Sequence, residues 1–242
     1  MSKAVIIGVG PQIGLGARLC ERFASLGLHV FVAGRTRAAL DSVAKSIVTN
    51  GGKATAVVAD TTSETEVIAL FDRATAEGDG AIDLAIYNAG NNTPGRIVDM
   101  TADYFERAWR VGCFGGFLFG REAVRRMLPN GRGKLFFTGA SASLRGRPNF
   151  GAFNAAKGGL RNLAQAMAKE YGEQRIHVGH VVIDGAIGGD KIMKRFPELA
   201  AQRGEEGLIN LEGIVDAYVY LYKQPRTAWS FEVDVRTSME KW

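Results

Sequence analysis

Short apolar runs alternate with segments of helical periodicity along all 242 residues, and this alternation limits the fold more than any other feature. Because the early runs are almost wholly apolar instead of alternating with polar residues, both faces of the resulting strands must be buried. That pattern predicts one α/β domain over residues 1–242, with a doubly wound parallel sheet of about seven strands. The runs predicted as strands are 4–7, 29–33, 55–59, 84–87, 134–138, 177–183 and 230–235.

Composition excludes several classes of protein. The 30 basic and 25 acidic residues are interleaved, without the like-charge run of a nucleic-acid-binding arm. Cys20 and Cys113 have neither disulfide-framework nor zinc-ligand spacing, so we expect free thiols and no metal. No stretch reaches about eighteen apolar residues, and no signal peptide is recognisable. We therefore expect a cytoplasmic protein that binds neither membrane nor nucleic acid.

A glycine-rich turn follows the first predicted strand directly. It reads Gly8-Val9-Gly10-Pro11-Gln12-Ile13-Gly14 and leads into a predicted helix over 13–26. Glycines let the backbone approach a phosphate, and the amides at the helix start meet its negative charge with the positive end of the helix dipole. The turn predicts a dinucleotide diphosphate site in a Rossmann-type fold. The alternative is a tight strand-to-helix turn with no ligand.

Two residues after later strands bear on the adenosine end of such a cofactor. The second strand is followed by Arg35, where a protein that prefers NAD carries an acid for the ribose diol. A guanidinium there favours the 2′-phosphate of NADP(H), although a solvated arginine opening a helix is the alternative. Asp60 ends the third strand. It either accepts a hydrogen bond from the adenine amino group or caps the following helix.

The fourth strand ends in Asn88-Ala89-Gly90, and a later helix carries Phe153 and Lys157 one turn apart. Together with the glycine turn, these motifs resemble the short-chain dehydrogenase/reductase family nearly end to end, from Gly8 to Ile183. The resemblance implies a nicotinamide cofactor held partly by the 88–90 segment. It also implies that Lys157 binds the nicotinamide ribose and that the backbone at Ile187 clamps the carboxamide.

The resemblance places three altered residues at the active site. Phe153 stands at the family tyrosine, Ala140 at the serine and Gly112 at the asparagine, whereas Lys157 is retained. The tyrosine protonates the alkoxide that hydride transfer leaves, and a phenyl ring has no proton to give. General acid help is worth about 10²–10⁴ in rate, so ordinary alcohol dehydrogenase chemistry should be nearly silent. The turn also departs from the pattern, because Gln12 replaces a glycine beside the diphosphate.

Two further residues are tentative catalytic candidates. Asp184 replaces a family proline at the end of the sixth strand, where burial can raise the pKa of a carboxyl and make it a proton donor. The structural alternative is a loop cap with Asx-type bonds to the glycines that follow. Ser141 is the immediate neighbour of Ala140 and offers a hydroxyl. His29, His177 and His180 start or lie within strands, which indicates structural roles.

The sequence favours an atypical oxidoreductase that transfers hydride between NADP(H) and a small organic substrate, such as one with an activated C=C bond. The alternatives are a non-catalytic NADP(H)-binding regulator or partner subunit, and a non-redox enzyme with Asp184 as base. Residues 188–207 are predicted to cover the pocket as a lid. A long helix over about 101–127 carries Gly112, Gly115 and Gly116, which indicates close packing on a neighbouring helix. That helix belongs either to the same chain or to another subunit. The family pairs its fourth and fifth helices across subunits, so the resemblance implies a homodimer or homotetramer, in which these glycines would permit close approach.

Overall fold

A computed structural model describes residues 1–90, 94–204 and 206–240. Its seven strands form one parallel sheet in the order β3-β2-β1-β4-β5-β6-β7, which confirms the predicted doubly wound architecture. The chain runs outward from β1 in one direction and then returns to β4 on the other side, so a crevice opens at the carboxyl ends of β1 and β4. The strands are β1 Lys3–Ile7, β2 His29–Gly34, β3 Lys53–Val58, β4 Ile82–Tyr87, β5 Gly133–Thr138, β6 Ile176–Asp184 and β7 Glu232–Arg236.

Helices cover both faces of the sheet. One apolar core lies between the sheet and helices α1, α2 and α9, and a second lies under α3, α5 and α6. None of the helices within the described residues combines the length and apolarity needed to span a bilayer. The helices are α1 Leu15–Ser25, α2 Arg37–Thr49, α3 Glu64–Ala76, α4 Ala102–Trp109, α5 Gly115–Met127, α6 Gly151–Tyr171, α7 Asp190–Arg195, α8 Pro197–Arg203 and α9 Leu211–Lys223.

The predicted long helix over 101–127 is interrupted. A π-helical turn at Arg110–Phe114 separates α4 from α5. The wider turn changes the directions in which the side chains of α5 point, compared with one continuous α-helix. Its three glycines are buried inside the subunit. A Cβ on Gly112 would lie 2.6 Å from the Cβ of Ala156 on α6, and one on Gly115 would lie 2.5 Å from Tyr87 Oη. Of the two alternatives, packing within the same chain is therefore correct, since these glycines admit α6 and β4 of that chain.

Tyr87 stabilises this interruption. Its ring is fully buried among Phe119 and Phe137, and its hydroxyl donates a hydrogen bond to the carbonyl of Val111 within the π turn. A π turn disrupts the regular pairing of backbone groups, and a buried carbonyl left without a donor is unfavourable. Burial also raises the pKa of Tyr87, so the hydroxyl remains a donor at all physiological pH values.

We predict that Tyr87→Phe lowers the free energy of unfolding by about 1–2 kcal/mol, because the ring packing is kept while the Val111 carbonyl loses its donor. Urea denaturation followed by circular dichroism measures the change. Tyr220→Phe is the control, since that side chain is exposed. Equal stabilities for the Tyr87 variant and the unmodified chain would contradict the proposed role of the hydroxyl.

Candidate active site

A cavity of about 680 Å³ opens at the carboxyl ends of the central strands. Its walls come from the turn after β1, the segments after β4, β5 and β6, the start of α6, and helices α7 and α8. This is the edge at which doubly wound sheets bind their ligands. Of the predicted site residues, those that line it are Gly8, Gly10, Ile13, Gly14, Asn88, Gly90, Ala140, Ser141, Phe153, Lys157 and Ile187.

The turn after β1 has the features of a diphosphate cradle. Gly8 has φ +88°, and a Cβ there would lie 2.5 Å from the backbone nitrogen of Ala89, so only glycine allows β1 and β4 to approach this closely. Helix α1 begins after Gly14, which offers no side chain to cap it, and its first turn carries no acid. The free amides and positive dipole end therefore face the cavity, and these residues fit a dinucleotide.

The side chain of Gln12 turns away from the cavity. Its Nε2 donates to Glu21 at 2.6 Å, and its Oε1 accepts a hydrogen bond from Ser42 at 3.4 Å. Gln12 thus joins α1 to α2 through its side chain. Only its backbone remains part of the turn.

Arg35 and Asp60 do not line the cavity; they follow β2 and β3. Arg35 is exposed after β2, and its guanidinium has no hydrogen bond or ion pair with the residues that the structure describes. Asp60 Oδ1 accepts hydrogen bonds from the amide and the hydroxyl of Thr62, both at 2.8 Å. Ser63 caps α3 instead, because its Oγ accepts the amide of Glu66. Asp60 therefore closes an Asx-type turn next to the helix and leaves Oδ2 without a described bond.

A buried hydrogen-bond chain joins the strand ends. The Asn88 side chain donates to the carbonyl of Gly8 at 3.2 Å and accepts from the hydroxyl of Thr138 at 3.0 Å. The only hydroxyl proton of Thr138 is used in the bond to Asn88, so Tyr218 Oη must donate to Thr138 Oγ1, at 2.6 Å. Sequence reasoning missed Thr138 and Tyr218. The signals were a hydroxyl at the end of β5 and a tyrosine on the apolar stripe of α9, and neither is distinctive.

Lys157 lies at the centre of the site. Its side chain is 4% exposed, and Nζ donates to the carbonyl of Thr138 at 2.7 Å. Burial, followed by the nearby charge of Lys191, lowers the pKa of Lys157 to about 8. Nζ lies 5.9 Å from the centre of the Phe153 ring, and a Cβ on Gly90 would lie 3.4 Å from it. The ammonium is therefore held between the end of β4 and the phenyl ring.

The substituted positions differ in how they meet the cavity. Ala140 and the buried Ser141 lie in its wall, next to Phe153. Gly112 does not line the cavity, because its α-carbon is packed on Ala156. An asparagine at that position has no space unless α6 moves. The structure has thus filled the volume that this side chain would occupy.

Asp184 is bound by arginines. Its carboxylate is 1% exposed and accepts from Arg145 Nη2 at 2.9 and 3.1 Å, and Arg236 Nη2 lies 3.5 Å away. Parallel pairing of β6 with β7 places Arg236 directly opposite Asp184. Ile183 and Gly185 line the cavity, whereas Asp184 points to its other side. Two guanidinium groups lie against this carboxylate, so the geometry supports a structural role, with arginines instead of the expected glycine amides as partners.

The segment after β6 completes the cavity. Ile187 pairs with Ile209, and the Ile187 amide has no hydrogen-bond partner among the described residues, so it is available to a carboxamide. The predicted lid over 188–207 contains α7 and α8. Residue 205 of this range lies outside the described residues. Ile192, Phe196 and Leu199 of these helices line the cavity.

A second buried chain supports the wall that carries Ala140. Ser143 Oγ accepts the amide of Ala140 at 3.2 Å and lies 3.4 Å from His180 Nε2. His180 Nδ1 lies 2.8 Å from Glu232, which Arg161 binds through two nitrogens at 2.6 and 2.9 Å. Burial lowers the pKa of His180 to about 4, so the ring is neutral at neutral pH. Nδ1 then donates to Glu232, and Nε2 accepts from Ser143.

Comparison with known proteins identifies relatives of this chain. A family model described as short chain dehydrogenase matches residues 3–194. The chain is 32% identical over 187 residues to versicolorin reductase 1 from Dothistroma septosporum, which covers 77% of this chain and 70% of that protein. A crystal structure of a short-chain dehydrogenase from Rhodopseudomonas palustris is 35% identical with a TM-score of 0.82, covering 97% of this chain and 98% of the other.

A further solved structure shares the fold. It is a metagenomic short-chain oxidoreductase in complex with NADP, 23% identical with a TM-score of 0.82, and the match covers 98% of both chains. At this identity the likeness concerns the fold alone.

The buried His180 predicts acid sensitivity. Its pKa is about 4 in the folded protein, against 6.5 as the ordinary value. Between these values the unfolded chain binds more protons than the folded one, so stability falls as pH decreases through this window. We expect His180 alone to account for a loss of about 2 kcal/mol between about pH 7.5 and 5.

Urea denaturation at the two pH values measures this loss, and His180→Gln should remove most of the His180 contribution. A residual slope is expected because burial also lowers the pKa of His29 and His177. Parallel pH profiles for the variant and the unmodified chain would show that His180 is not the titrating group.

Proposed function

Because this chain belongs to the short-chain dehydrogenase family, we propose that it is an NADP(H)-dependent oxidoreductase acting on a small organic substrate. The observation that carries the proposal is the state of Lys157. It is buried beside the cavity, held by the Thr138 carbonyl, and faces a phenyl ring where a hydroxyl would serve carbonyl reduction. The cofactor side of the site is thus retained while its proton donor is replaced.

Charge supports NADP(H) over NAD(H). The segment after β2 presents Arg35 without a counter-ion among the described residues, and no acid takes the position that binds a ribose diol. A planar guanidinium matches the geometry of a 2′-phosphate. A structural relative of the same fold was solved in complex with NADP. Asp60 Oδ2 is the matching acceptor for the adenine amino group.

The cofactor, when bound, supplies or accepts the hydride. The glycine turn and the amides of α1 would hold its diphosphate, the Lys157 ammonium would donate to its nicotinamide ribose, and the free amide of Ile187 would bind its carboxamide. Thr138 keeps Lys157 in place and, through Asn88, keeps the turn in place. Phe153, Ala140 and Ser141 form the wall against which the substrate lies.

The replaced proton donor limits the substrate class. General acid catalysis is worth about 10²–10⁴ in rate. A simple ketone bound beside Phe153 would not receive this help, because the phenyl ring has no proton to donate. Asp184 is an ion-paired carboxylate turned from the cavity and offers no substitute. A substrate with an activated C=C bond fits better, since the carbanion formed by hydride addition is delocalised and can take its proton from solvent.

A second function has a specific observation in its favour. Gly112 is packed on Ala156, so the space for the family asparagine is closed as well as vacated. A chain that no longer reduces substrate can use the same cleft to sense NADP(H), as a regulator or partner subunit. Strong NADPH binding with no turnover of any substrate would favour this function.

We also propose that the protein assembles as a homodimer or homotetramer. The outer face of α4 and α5 exposes Phe105, Trp109 and Phe117, which form an apolar aromatic surface on helices whose inner face is already packed. Exposed aromatic groups of this kind are typical of association surfaces. The surface replaces the glycines as the reason for expecting assembly.

Cofactor preference should depend on Arg35. We predict that Arg35→Asp weakens NADPH binding by about 1.5–3 kcal/mol, because charge-assisted hydrogen bonds to the 2′-phosphate are lost, while NADH binding changes little. Nicotinamide fluorescence titration measures both. The control is Arg37→Asp, the same change of charge at a residue already paired with Asp41. Equal affinities of the unmodified protein for NADH and NADPH would refute the preference.

The absent proton donor gives a second prediction. The double variant Phe153→Tyr with Ala140→Ser should gain NADPH-dependent carbonyl reduction while its NADPH affinity stays unchanged, because a hydroxyl returns beside Lys157. The rate of ketone reduction should rise by only part of the factor of roughly 10²–10⁴ that general acid catalysis supplies, since Gly112 still lacks a side chain. Stopped-flow oxidation of NADPH against matched ketones and enones measures it.

The control pairs Ala140→Ser with Phe150→Tyr, which adds a hydroxyl to another phenyl ring of the same cavity. That variant should stay inactive on ketones. The unmodified protein should turn over enones faster than ketones. If it already reduces simple ketones as fast as the double variant, the proton-donor argument is wrong.

A further inference from the structure

The charge on the cavity wall is one-sided. Its described lining residues include four cations, Arg147, Lys157, Lys191 and Arg203, and no aspartate or glutamate. Arg203 is neutralised outside the cavity by Glu240 at 3.0 Å, and Lys157 is engaged with the Thr138 carbonyl. Lys191 makes no hydrogen bond or ion pair with any residue the structure describes. Lys191 is exposed and lines this positive cavity, and it has no counter-ion among the residues that the structure describes.

The fold places Lys191 next to the diphosphate cradle. The Asp190 amide donates to the carbonyl of Ile13 at 2.7 Å, so the start of α7 is docked on the glycine-rich turn. Gly189 makes this contact possible, because a Cβ there would lie 2.9 Å from the same carbonyl oxygen. Lys191 follows directly and lines the cavity together with Gly8, Gly10 and Gly14. A segment far away in sequence thus brings a cation to this turn.

Lys191 also lies close enough to Lys157 to act on it electrostatically. The charge of Lys191 contributes to the lowered pKa of Lys157, and burial with the charge of Arg195 lowers the pKa of Lys191. Two ammonium groups near each other, without an acid between them, repel. An anion held by the glycine turn beside Lys191 would reduce that repulsion and give Lys191 a counter-charge, while Lys157 stays bound to the Thr138 carbonyl.

We propose that Lys191 binds the diphosphate of the dinucleotide cofactor and so ties helix α7 to the occupied cleft. The inference rests on the proposed function in one respect, that the cleft binds NADP(H). It adds a side-chain counter-charge to a turn whose own Gln12 is bound to Glu21 and contributes none. It also assigns a role to the predicted lid, because the helix that covers the substrate wall carries a cofactor ligand.

The test compares two lysines of the same helix. Lys191→Ala removes the proposed ligand, whereas Lys194→Ala removes a lysine that is 71% exposed and paired with Asp190. Dissociation constants are measured by titration for NADPH, for 2′-phospho-ADP-ribose, which lacks nicotinamide, and for adenosine 2′-monophosphate, which lacks the diphosphate. Each titration is repeated at low and high salt.

We expect Lys191→Ala to weaken NADPH and 2′-phospho-ADP-ribose equally, by about tenfold to a hundredfold, as for a lost charge-assisted hydrogen bond. Its affinity for adenosine 2′-monophosphate should not change, and its salt dependence should be smaller. Lys191→Arg should retain most of the affinity, and Lys194→Ala should match the unmodified protein.

Three results would overturn the assignment. Unchanged NADPH affinity in Lys191→Ala would show that Lys191 does not bind the cofactor. A rise in the KM of a substrate alone would show that Lys191 binds an anionic group of the substrate. Loss of adenosine 2′-monophosphate binding in the same variant would also overturn the assignment, because the effect would then not depend on the diphosphate. Failure of the unmodified protein to bind NADPH or 2′-phospho-ADP-ribose at all would instead refute the proposed function.

Discussion

Thr138 is the residue on which the cleft depends. Its carbonyl holds Lys157 and its hydroxyl links Asn88 to Tyr218, so the ends of β4 and β5, the start of α6 and helix α9 converge on one position. Asn88 extends the chain to the carbonyl of Gly8. Every group in this chain is buried or partly buried and has a partner, which makes each bond stronger than it would be in water. The cofactor cradle and the lysine are thereby fixed relative to one another before any ligand enters.

Phe153, Ala140 and Gly112 carry no polar side chain. Phe153 needs no hydroxyl partner, so Ala140 need not offer one, and the volume of an asparagine at Gly112 is taken by Ala156. The π turn survives without that asparagine because Tyr87 bonds to Val111 and Gly115 leaves room for the tyrosine. Under the proposed function, cofactor binding uses the backbone and Lys157, and it requires no polar side chain at Gly112, Ala140 or Phe153.

Buried charges stabilise the far wall of the cavity. Asp184 joins Arg145 of the loop after β5 to Arg236 of β7, and Glu232 joins His180 of β6 to Arg161 of α6. Each carboxylate has at least one guanidinium partner, which offsets the cost of removing it from water. Both clusters span the junction of β6 with β7, an edge strand that is only partly buried. They tie the wall carrying Ala140 and Ser141 to the edge of the sheet.

Local pattern determined the sheet, its parallel direction and the glycine turn, because strand burial and backbone freedom at Gly8 are written into neighbouring residues. It also predicted Lys157 and Phe153 as site residues, through a resemblance that depends on spacing. The roles of Asp184, Gln12 and the helix glycines were decided by tertiary structure. Arg236 meets Asp184 only after β7 pairs with β6, Glu21 takes Gln12 only where α1 passes the turn, and Gly112 meets Ala156 only where α6 crosses the π turn. Lys191 is the extreme case. Its charge is plain in the sequence, but its place beside the turn depends on a contact between residues 13 and 190, which no local pattern contains.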